Sequence, residues 1–428
     1  AWERHVARPR VTRADGAPHQ EHLGTAGLTE LTQDDRHRGA LLHLRTIERD
    51  GLVLREALSD ASQLQGHAGK VSRPAPASKR RAQSGHDAVF RHLVNWGDPA
   101  GRACAMVPRM KHALVTGGCG FLGSSIVKLL VERGVRVRIL AVPGEPDDNV
   151  RGLDVEIVRG DLRKRADCEK AVVGCDTVFH CAAVYKSYAP DPTMMYEVNN
   201  AGTFNMLEAC RRAGVGTVVY TASIVALGRP PAGTVGDENT VYEVWDIDFP
   251  YSRSKYHSRK LAEAFADWGL DVRVVCPAIV FGPGDIGPTP SGKLILETLK
   301  GGPPIHVPGG AAYVDVRDAA LVHVLAAERG KAGERYIAAS ENLTNEQLLR
   351  AIQRVSGKER RLYAVPVGVA RAIVTAMNKV AIRMNQEPQL SLDFFEYGLA
   401  ESFFSADKAK REMGATFRPI DDTIRDAL

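Results

Sequence analysis

One stretch constrains this chain more than any other: Thr116-Gly117-Gly118-Cys119-Gly120-Phe121-Leu122-Gly123. It follows a short apolar run and precedes a helical pattern, so its GxxGxxG glycines occupy a strand-to-helix turn. Gly117 permits the tight turn, Gly120 lets the backbone approach a pyrophosphate, and Gly123 lets the helix pack close to the sheet. Free N–H groups and the dipole at the start of such a helix favour an anion. Gly117, Gly120, Phe121, Leu122 and Gly123 are therefore candidate contacts to a dinucleotide.

From residue 110 onward, Val/Ile/Leu-rich runs alternate with helical segments. Strands are expected at 113–116, 135–140, 155–158, 177–180, 217–221 and 272–275, with helices at 122–133, 166–173, 195–213 and 251–268. Nearly continuous apolar strands fit a parallel sheet covered on both faces, and right-handed crossovers make it doubly wound, a Rossmann-type α/β fold. After Pro277 the alternation loosens, and 341–428 reads as helices plus one short strand at 362–365. Helix starts are read at Thr344 with Gln347 and at Ser405, with Gly414 closing the latter helix. The expected organisation is a dinucleotide-binding domain over 110–277 and a smaller C-terminal substrate-binding lobe over 278–428, some of whose segments return to the sheet. Pro366, Arg371 and Lys379 interrupt the apolar stretch 362–382, which reads as a core helix rather than a membrane span or a cover for a lipid-like substrate.

The net charge is +5, yet its distribution matters more. Residues 1–109 hold 17 basic against 12 acidic side chains, whereas 110–428 hold 39 of each. The surplus does not sit where the motifs sit, so a nucleic-acid partner is set aside. Residues 1–109 also carry eight of the 13 histidines and no dominant period. They are expected to be a disordered extension or an over-extended reading of the gene, with Met110 as the natural start. Seven cysteines without a CxxC pair read as reduced structural thiols, and no metal site is expected. Without a signal-peptide pattern, the cytoplasm is the default location.

A second motif, Tyr251-Ser252-Arg253-Ser254-Lys255, puts a tyrosine and a lysine at i and i+4 on one helix face. A cation held there is expected to lower the phenol from its ordinary pKa of about 10 toward working pH. Tyr251 can then exchange a proton with a carbonyl or an alcohol.

In this order the two motifs resemble the TGxxGFLG and YxxxK signatures of the extended short-chain dehydrogenase/reductases, also called the NAD-dependent epimerase/dehydratase family, over essentially 110–428. The resemblance implies several further residues. Asp161 and Leu162 match the loop that contacts adenine, Ala182 and Ala183 the segment that lines the cofactor, and Pro277 the segment passing over the nicotinamide. Asn199 and Ser223 join Tyr251 and Lys255 as the catalytic set, with Thr221 a less favoured alternative to Ser223. Lys255 would also hold the nicotinamide ribose, and a homodimer would form through the helices at 195–213 and 251–268.

The strand before Gly144 ends in neither the acid that binds a ribose 2′-hydroxyl nor the Arg that accepts a 2′-phosphate. NAD and NADP therefore both stay open. The lack of a basic residue from 139 to 150 tilts the balance to NAD, with Glu145 as a candidate ribose contact. Cys119 reads as a tolerated small residue, and His180 and His306 as structural.

Three functions are compatible with these residues: reversible hydride transfer at a secondary alcohol or ketone of a small, fairly apolar molecule; a nucleotide-sugar epimerase or dehydratase; and a non-catalytic dinucleotide sensor. The complete catalytic set argues against the third. Nucleotide-sugar relatives commonly carry an Arg before a YVxD-like strand, where this chain has Gly309-Gly310-Ala311-Ala312-Tyr313-Val314-Asp315. Without that fork a diphosphate is held less well. Val219-Tyr220-Thr221 and Gly333-Glu334-Arg335-Tyr336-Ile337 resemble the dihydroflavonol-reductase-like branch, including bacterial members called hopanoid-associated sugar epimerases. The first function is the expected one.

Overall fold

The computed structural model describes residues 110–428 apart from Pro288, Pro303 and Gln389. The expectations placed on 1–109 lie outside the described residues.

Seven parallel strands form the central sheet: β1 (His112–Thr116), β2 (Arg136–Ala141), β3 (Val155–Arg159), β4 (Thr177–His180), β5 (Thr217–Thr221), β6 (Val272–Pro277) and β10 (Arg335–Ala338). Their order is β10-β6-β5-β4-β1-β2-β3. Every residue of β1 and of β4 is buried, which is why these runs are apolar without alternation. The strand order reverses beside β1, and Thr116 aligns with His180 of β4, so both strands end at one level. Ligands of open α/β sheets bind beyond such a reversal.

The connecting helices are α1 (Phe121–Glu132), α2 (Arg165–Val172), α3 (Thr193–Tyr196), α4 (Gly202–Ala213) and α5 (Pro250–Asp267). Later in the chain, α7 (Val316–Arg329) packs on α1. Fully buried Leu114, Ile126, Leu130, Ile139, Phe179, Met206 and Leu207 tie sheet and helices into one core. Each contributes about 1.5–3 kcal/mol through burial. The helix expected over 195–213 is interrupted, because Glu197–Ala201 forms a π-helical turn between α3 and α4.

A smaller sheet is centred on β9 (Gly310–Asp315), which pairs antiparallel with β11 (Glu341–Thr344) and parallel with β7 (Ile279–Phe281) and β13 (Glu401–Ser402). Phe281, Tyr313, Leu348, Ile352, Ile420 and Ile424 bury one another beneath it. Those residues come from this sheet, from α8 (Asn345–Ser356) and from α12 (Ile420–Ala427). Helix α6 (Pro290–Leu299) precedes β8 (Ile305–His306), which pairs with β12 (Tyr363–Ala364). Thr344 and Gln347 make the expected capping box on α8. The helix after Ser405, α11 (Asp407–Met413), closes on Gly414 in the left-handed conformation.

Two expectations for this region need correction. Residues 341–428 contain three short strands rather than one, since pairs of two to four residues carry no alternation to read. The stretch 362–382 is no core helix: α9 (Val367–Arg383) buries only Ala370 and Val374, against Phe395 of α10 (Leu392–Gly398). No helix among the described residues is long and apolar enough to cross a membrane.

Candidate active site

The glycine loop sits at the reversal point, and its glycines are fixed by contact. Gly117 has φ +66°, and a Cβ there would lie 2.9 Å from the Ala182 Cα. A Cβ on Gly123 would overlap the Gly117 carbonyl, so this glycine lets the first turn of α1 close onto the main chain that leaves β1. On Gly118, which the spacing did not single out, a Cβ would lie 2.9 Å from the Ile139 side chain. Gly120 is the N-cap of α1, where no side chain caps the helix and no acid stands in the first turn. Asn149 donates to the Cys119 carbonyl at 3.1 Å and steadies the loop from the β2–β3 side. Burial holds the Cys119 thiol up at about 11, with the Glu145 charge adding to it, so it is no thiolate.

Gly117→Ala combines a left-handed backbone, about 1 kcal/mol, with overlap on a neighbouring main chain, about 2 kcal/mol. Dinucleotide affinity should fall about 100-fold in a calorimetric titration. Gly134 also has a positive φ, +72°, but its Cβ would meet nothing within 4 Å. Gly134→Ala should leave that affinity unchanged.

A buried chain of hydrogen bonds runs from the loop to the middle of the sheet. The Thr203 hydroxyl donates to the Asn199 carbonyl (2.6 Å) and so accepts from His180 Nε2–H (3.0 Å). Nδ1 of His180 then accepts from Thr116 (2.8 Å), whose oxygen receives the N–H groups of Cys181 and Ala182. Asn199 lies in the π-helical turn. Its side chain grips Val184 at both main-chain atoms (2.7 and 3.0 Å) and donates to Ser254 of α5 (3.0 Å). All its hydrogen-bonding capacity toward this wall is used, which places Asn199 as a clamp on the active-site backbone.

Three side chains of α5 hold the segment after β5. Ser252 donates to the Val225 carbonyl (3.1 Å), Lys255 Nζ to that of Thr221 (2.7 Å) and Arg259 to that of Ala226 (3.2 Å). These bonds tie the start of α5, which carries Tyr251, to the segment that carries Ser223. Thr221 is committed elsewhere, its hydroxyl lying 3.0 Å from His323 Nε2 and 3.2 Å from the Cys181 sulfur. Ser223 only accepts a long bond from Val225 N (3.4 Å), leaving its O–H free to donate. This distinction favours Ser223 over Thr221.

Burial lowers Lys255 to about 8. Tyr251 is pushed up, by burial first and then by Tyr185 and Tyr220, and Tyr185 meets its ring edge-on at 4.6 Å. The expected lowering of the phenol is not found: burial pushes it the other way, and the Lys255 ammonium is hydrogen-bonded to the Thr221 carbonyl.

His323, on α7, escaped the sequence reading because a lone histidine in an apolar helix has no motif. It is wholly buried, with Nδ1 2.7 Å from the Ala319 carbonyl. Burial holds His180 down at about 3 and His323 at about 4, with Lys255 opposing protonation of both. An unfolded chain takes up these protons from about pH 6.5 downward while the fold does not. Their stabilisation is therefore complete above pH 6.5 and is lost as pH falls toward those values. Denaturant titrations should show stability dropping by up to about 1.4 kcal/mol per pH unit for each histidine, and His323→Gln should flatten the slope.

The remaining candidates have the following surroundings. Asp161 is ion-paired to Arg163 at 2.7 Å, which holds its carboxyl below the usual range. Leu162 is buried against Gly202. Ala182 and Ala183 follow β4, and Pro277 ends β6 opposite Ala338. Glu145 accepts from Val142 N at 3.2 Å, and burial raises its pKa. A basic group does reach this loop: Arg159, at the end of β3, donates to the carbonyls of Glu145 (2.8 Å) and Val142 (3.4 Å). Sequence distance had hidden it.

The model of the NAD dependent epimerase/dehydratase family matches residues 113–339. The chain belongs to this family. It is 33% identical over 318 residues to a dihydroflavonol 4-reductase-like protein of Synechocystis sp., covering 73% of this chain and 92% of that one. It is 32% identical over 303 residues to sterol demethylase protein B of Methylococcus capsulatus, covering 70% and 92%. The crystal structure of gox2253 superposes with TM-score 0.65 at 34% identity, covering 74% of this chain and 96% of the other. As a member of the NAD-dependent epimerase/dehydratase family, the protein is an enzyme that works with a nicotinamide dinucleotide. The uncapped, acid-free start of α1 and the Cβ-excluding glycines fit the pyrophosphate of that group.

Proposed function

We propose that this protein is an oxidoreductase that interconverts a secondary alcohol and a ketone on a small, fairly apolar substrate. The observation that carries the reading is the pairing at the β5–α5 junction: Ser223 keeps a free hydroxyl while Thr221 is tied to His323, and Lys255 anchors α5 beside it. Ser223 donates to the reacting oxygen, Tyr251 gives it a proton or takes one away, and Lys255 orients the nicotinamide ribose. The bound dinucleotide supplies or accepts the hydride. Asn199 holds the wall on which these groups stand. Gly117, Gly120, Phe121, Leu122 and Gly123 would cradle the pyrophosphate, Asp161 and Leu162 flank the adenine, and Ala182, Ala183 and Pro277 line the nicotinamide half.

NAD is proposed over NADP because Arg159 is already engaged by loop carbonyls and stands near the Asp147 carboxylate at 3.5 Å. In this reading 110–277 form the dinucleotide-binding domain and 278–428 mainly the substrate lobe. A cytoplasmic homodimer through α4 and α5 completes it.

A specific observation speaks against nucleotide-sugar isomerisation. Gly309-Gly310-Ala311-Ala312, leading into Tyr313-Val314-Asp315, puts no basic side chain there to meet a diphosphate. A panel of sterol-like and flavonoid-like ketones and nucleotide sugars, followed by nicotinamide absorbance, tests the reading. Apolar ketones should consume reduced dinucleotide, and turnover confined to nucleotide sugars would overturn it.

A further inference from the structure

Helix α9 has two apolar faces, and among the described residues only one of them has a partner. Ala370 and Val374 are buried against Phe395, and Asn378 fixes this face by donating to the Leu390 carbonyl at 2.8 Å. The second face carries Val369, Ile373, Met377 and Val380, with Met384 at the C-cap continuing it, exposed by 52%, 51%, 52%, 57% and 61%. At 3.6 residues per turn these five side chains fall in one stripe about 80° wide. A helix on the surface of a globular protein ordinarily turns polar residues to that side.

Basic side chains prevail along this segment. Residues 358–384 contain Lys358, Arg360, Arg361, Arg371, Lys379 and Arg383 against the single acid Glu359, while Asp393 and Glu396 lie on α10, which packs on the buried face. Arg371 is paired with Glu396, but among the described residues Lys379 and Arg383 have no carboxylate partner, and both flank the stripe on one side. Arg360 and Arg361, just before β12, line a cleft of about 460 Å³.

We propose that α9 is a membrane-surface anchor, whose apolar stripe enters the interface of an anionic lipid bilayer while Lys379 and Arg383 meet the phosphates. An apolar helical stripe bordered by Lys and Arg is what an interfacial helix requires. α9 does not meet the requirements of a span, so it lies along the surface. A second copy of this chain is a poorer occupant. A two-fold contact would bring the same basic segment against itself, with like charges facing across the interface. The inference does not rest on the catalytic reading.

The test is co-sedimentation of the full chain with vesicles of phosphatidylcholine alone or mixed with phosphatidylglycerol. The protein should bind the mixed vesicles and be released by salt. The double variant Ile373→Asp/Met377→Asp should lose this binding while keeping its circular dichroism. Should that variant fold poorly, the surface pair Lys379→Gln/Arg383→Gln should still weaken binding about 30-fold. The proposal is overturned by no binding to mixed vesicles, by equal binding to phosphatidylcholine alone, or by either variant binding like the parent. It is also overturned if the chain self-associates through this face, seen as a dimer that Ile373→Asp dissolves.

Discussion

Tyr251→Phe is expected to lower kcat by about 10²–10⁴-fold and to leave dinucleotide affinity where it was. The ring stays, so the edge-on contact with Tyr185 and the packing on Phe249 survive, and only the oxygen is removed. Direction matters as well. Burial, Tyr185 and Tyr220 all push the phenol up, so in the free protein it is protonated at neutral pH and ready to donate. Ketone reduction should therefore proceed readily at neutral pH, while alcohol oxidation should quicken as pH rises. Steady-state kinetics in both directions, together with calorimetric binding of the dinucleotide, checks both statements. A Tyr251→Phe enzyme with its kcat intact would remove Tyr251 from the proton transfer.

Ser223→Ala is expected to reduce kcat by about 10²–10³-fold, the usual consequence of deleting one donor to a developing oxyanion. Its hydroxyl makes only a 3.4 Å bond within the protein, so the fold loses little. Thr221→Val should show the opposite balance. It unpairs His323 Nε2 in a wholly buried site and should destabilise the fold by about 1–3 kcal/mol, with a smaller loss of kcat. Thermal melts and kinetics on the two variants separate the roles. If Thr221→Val lost the larger share of kcat and Ser223→Ala the larger share of stability, the assignment would be reversed.

Much of the central sheet was legible because parallel strands buried on both faces read as unbroken apolar runs. Strands 177–180 and 217–221 fall where they were expected, and the other four strands and the helices on either side of them shift by a residue or two. The π-helical turn at Glu197–Ala201 could not be read. Nothing in the sequence pattern reveals that Asn199 grips Val184, a contact made across the chain. β10 joins the central sheet only after a long excursion, and the two-residue strands β8, β12 and β13 depend wholly on tertiary pairing. Helix α9 misled because its composition is that of a core helix, whereas burial depends on what packs against it.

The site was legible where chemistry dictates spacing. GxxGxxG and YxxxK each fix residues within one local element, and the structure sets both at the ends of β1 and β5. Three groups were not legible because each acts from a distant element. His323 reaches Thr221 across 102 positions, Arg159 reaches the loop from the next strand, and the need for a glycine at 118 is set by Ile139 of β2. Lys255 was expected on the tyrosine's helix and lies there, but its ammonium is hydrogen-bonded to the Thr221 carbonyl, and burial with Tyr185 and Tyr220 pushes the phenol up.

The most direct test of the central claim is a single-turnover reaction of the full chain with an apolar ketone and reduced dinucleotide carrying deuterium in its transferable position, analysed by mass spectrometry. An alcohol bearing one deuterium on the former carbonyl carbon and an equal amount of oxidised dinucleotide are expected. An unconsumed ketone, together with isomerisation of a nucleotide sugar in a parallel reaction that leaves the dinucleotide unchanged at its end, would contradict the assignment.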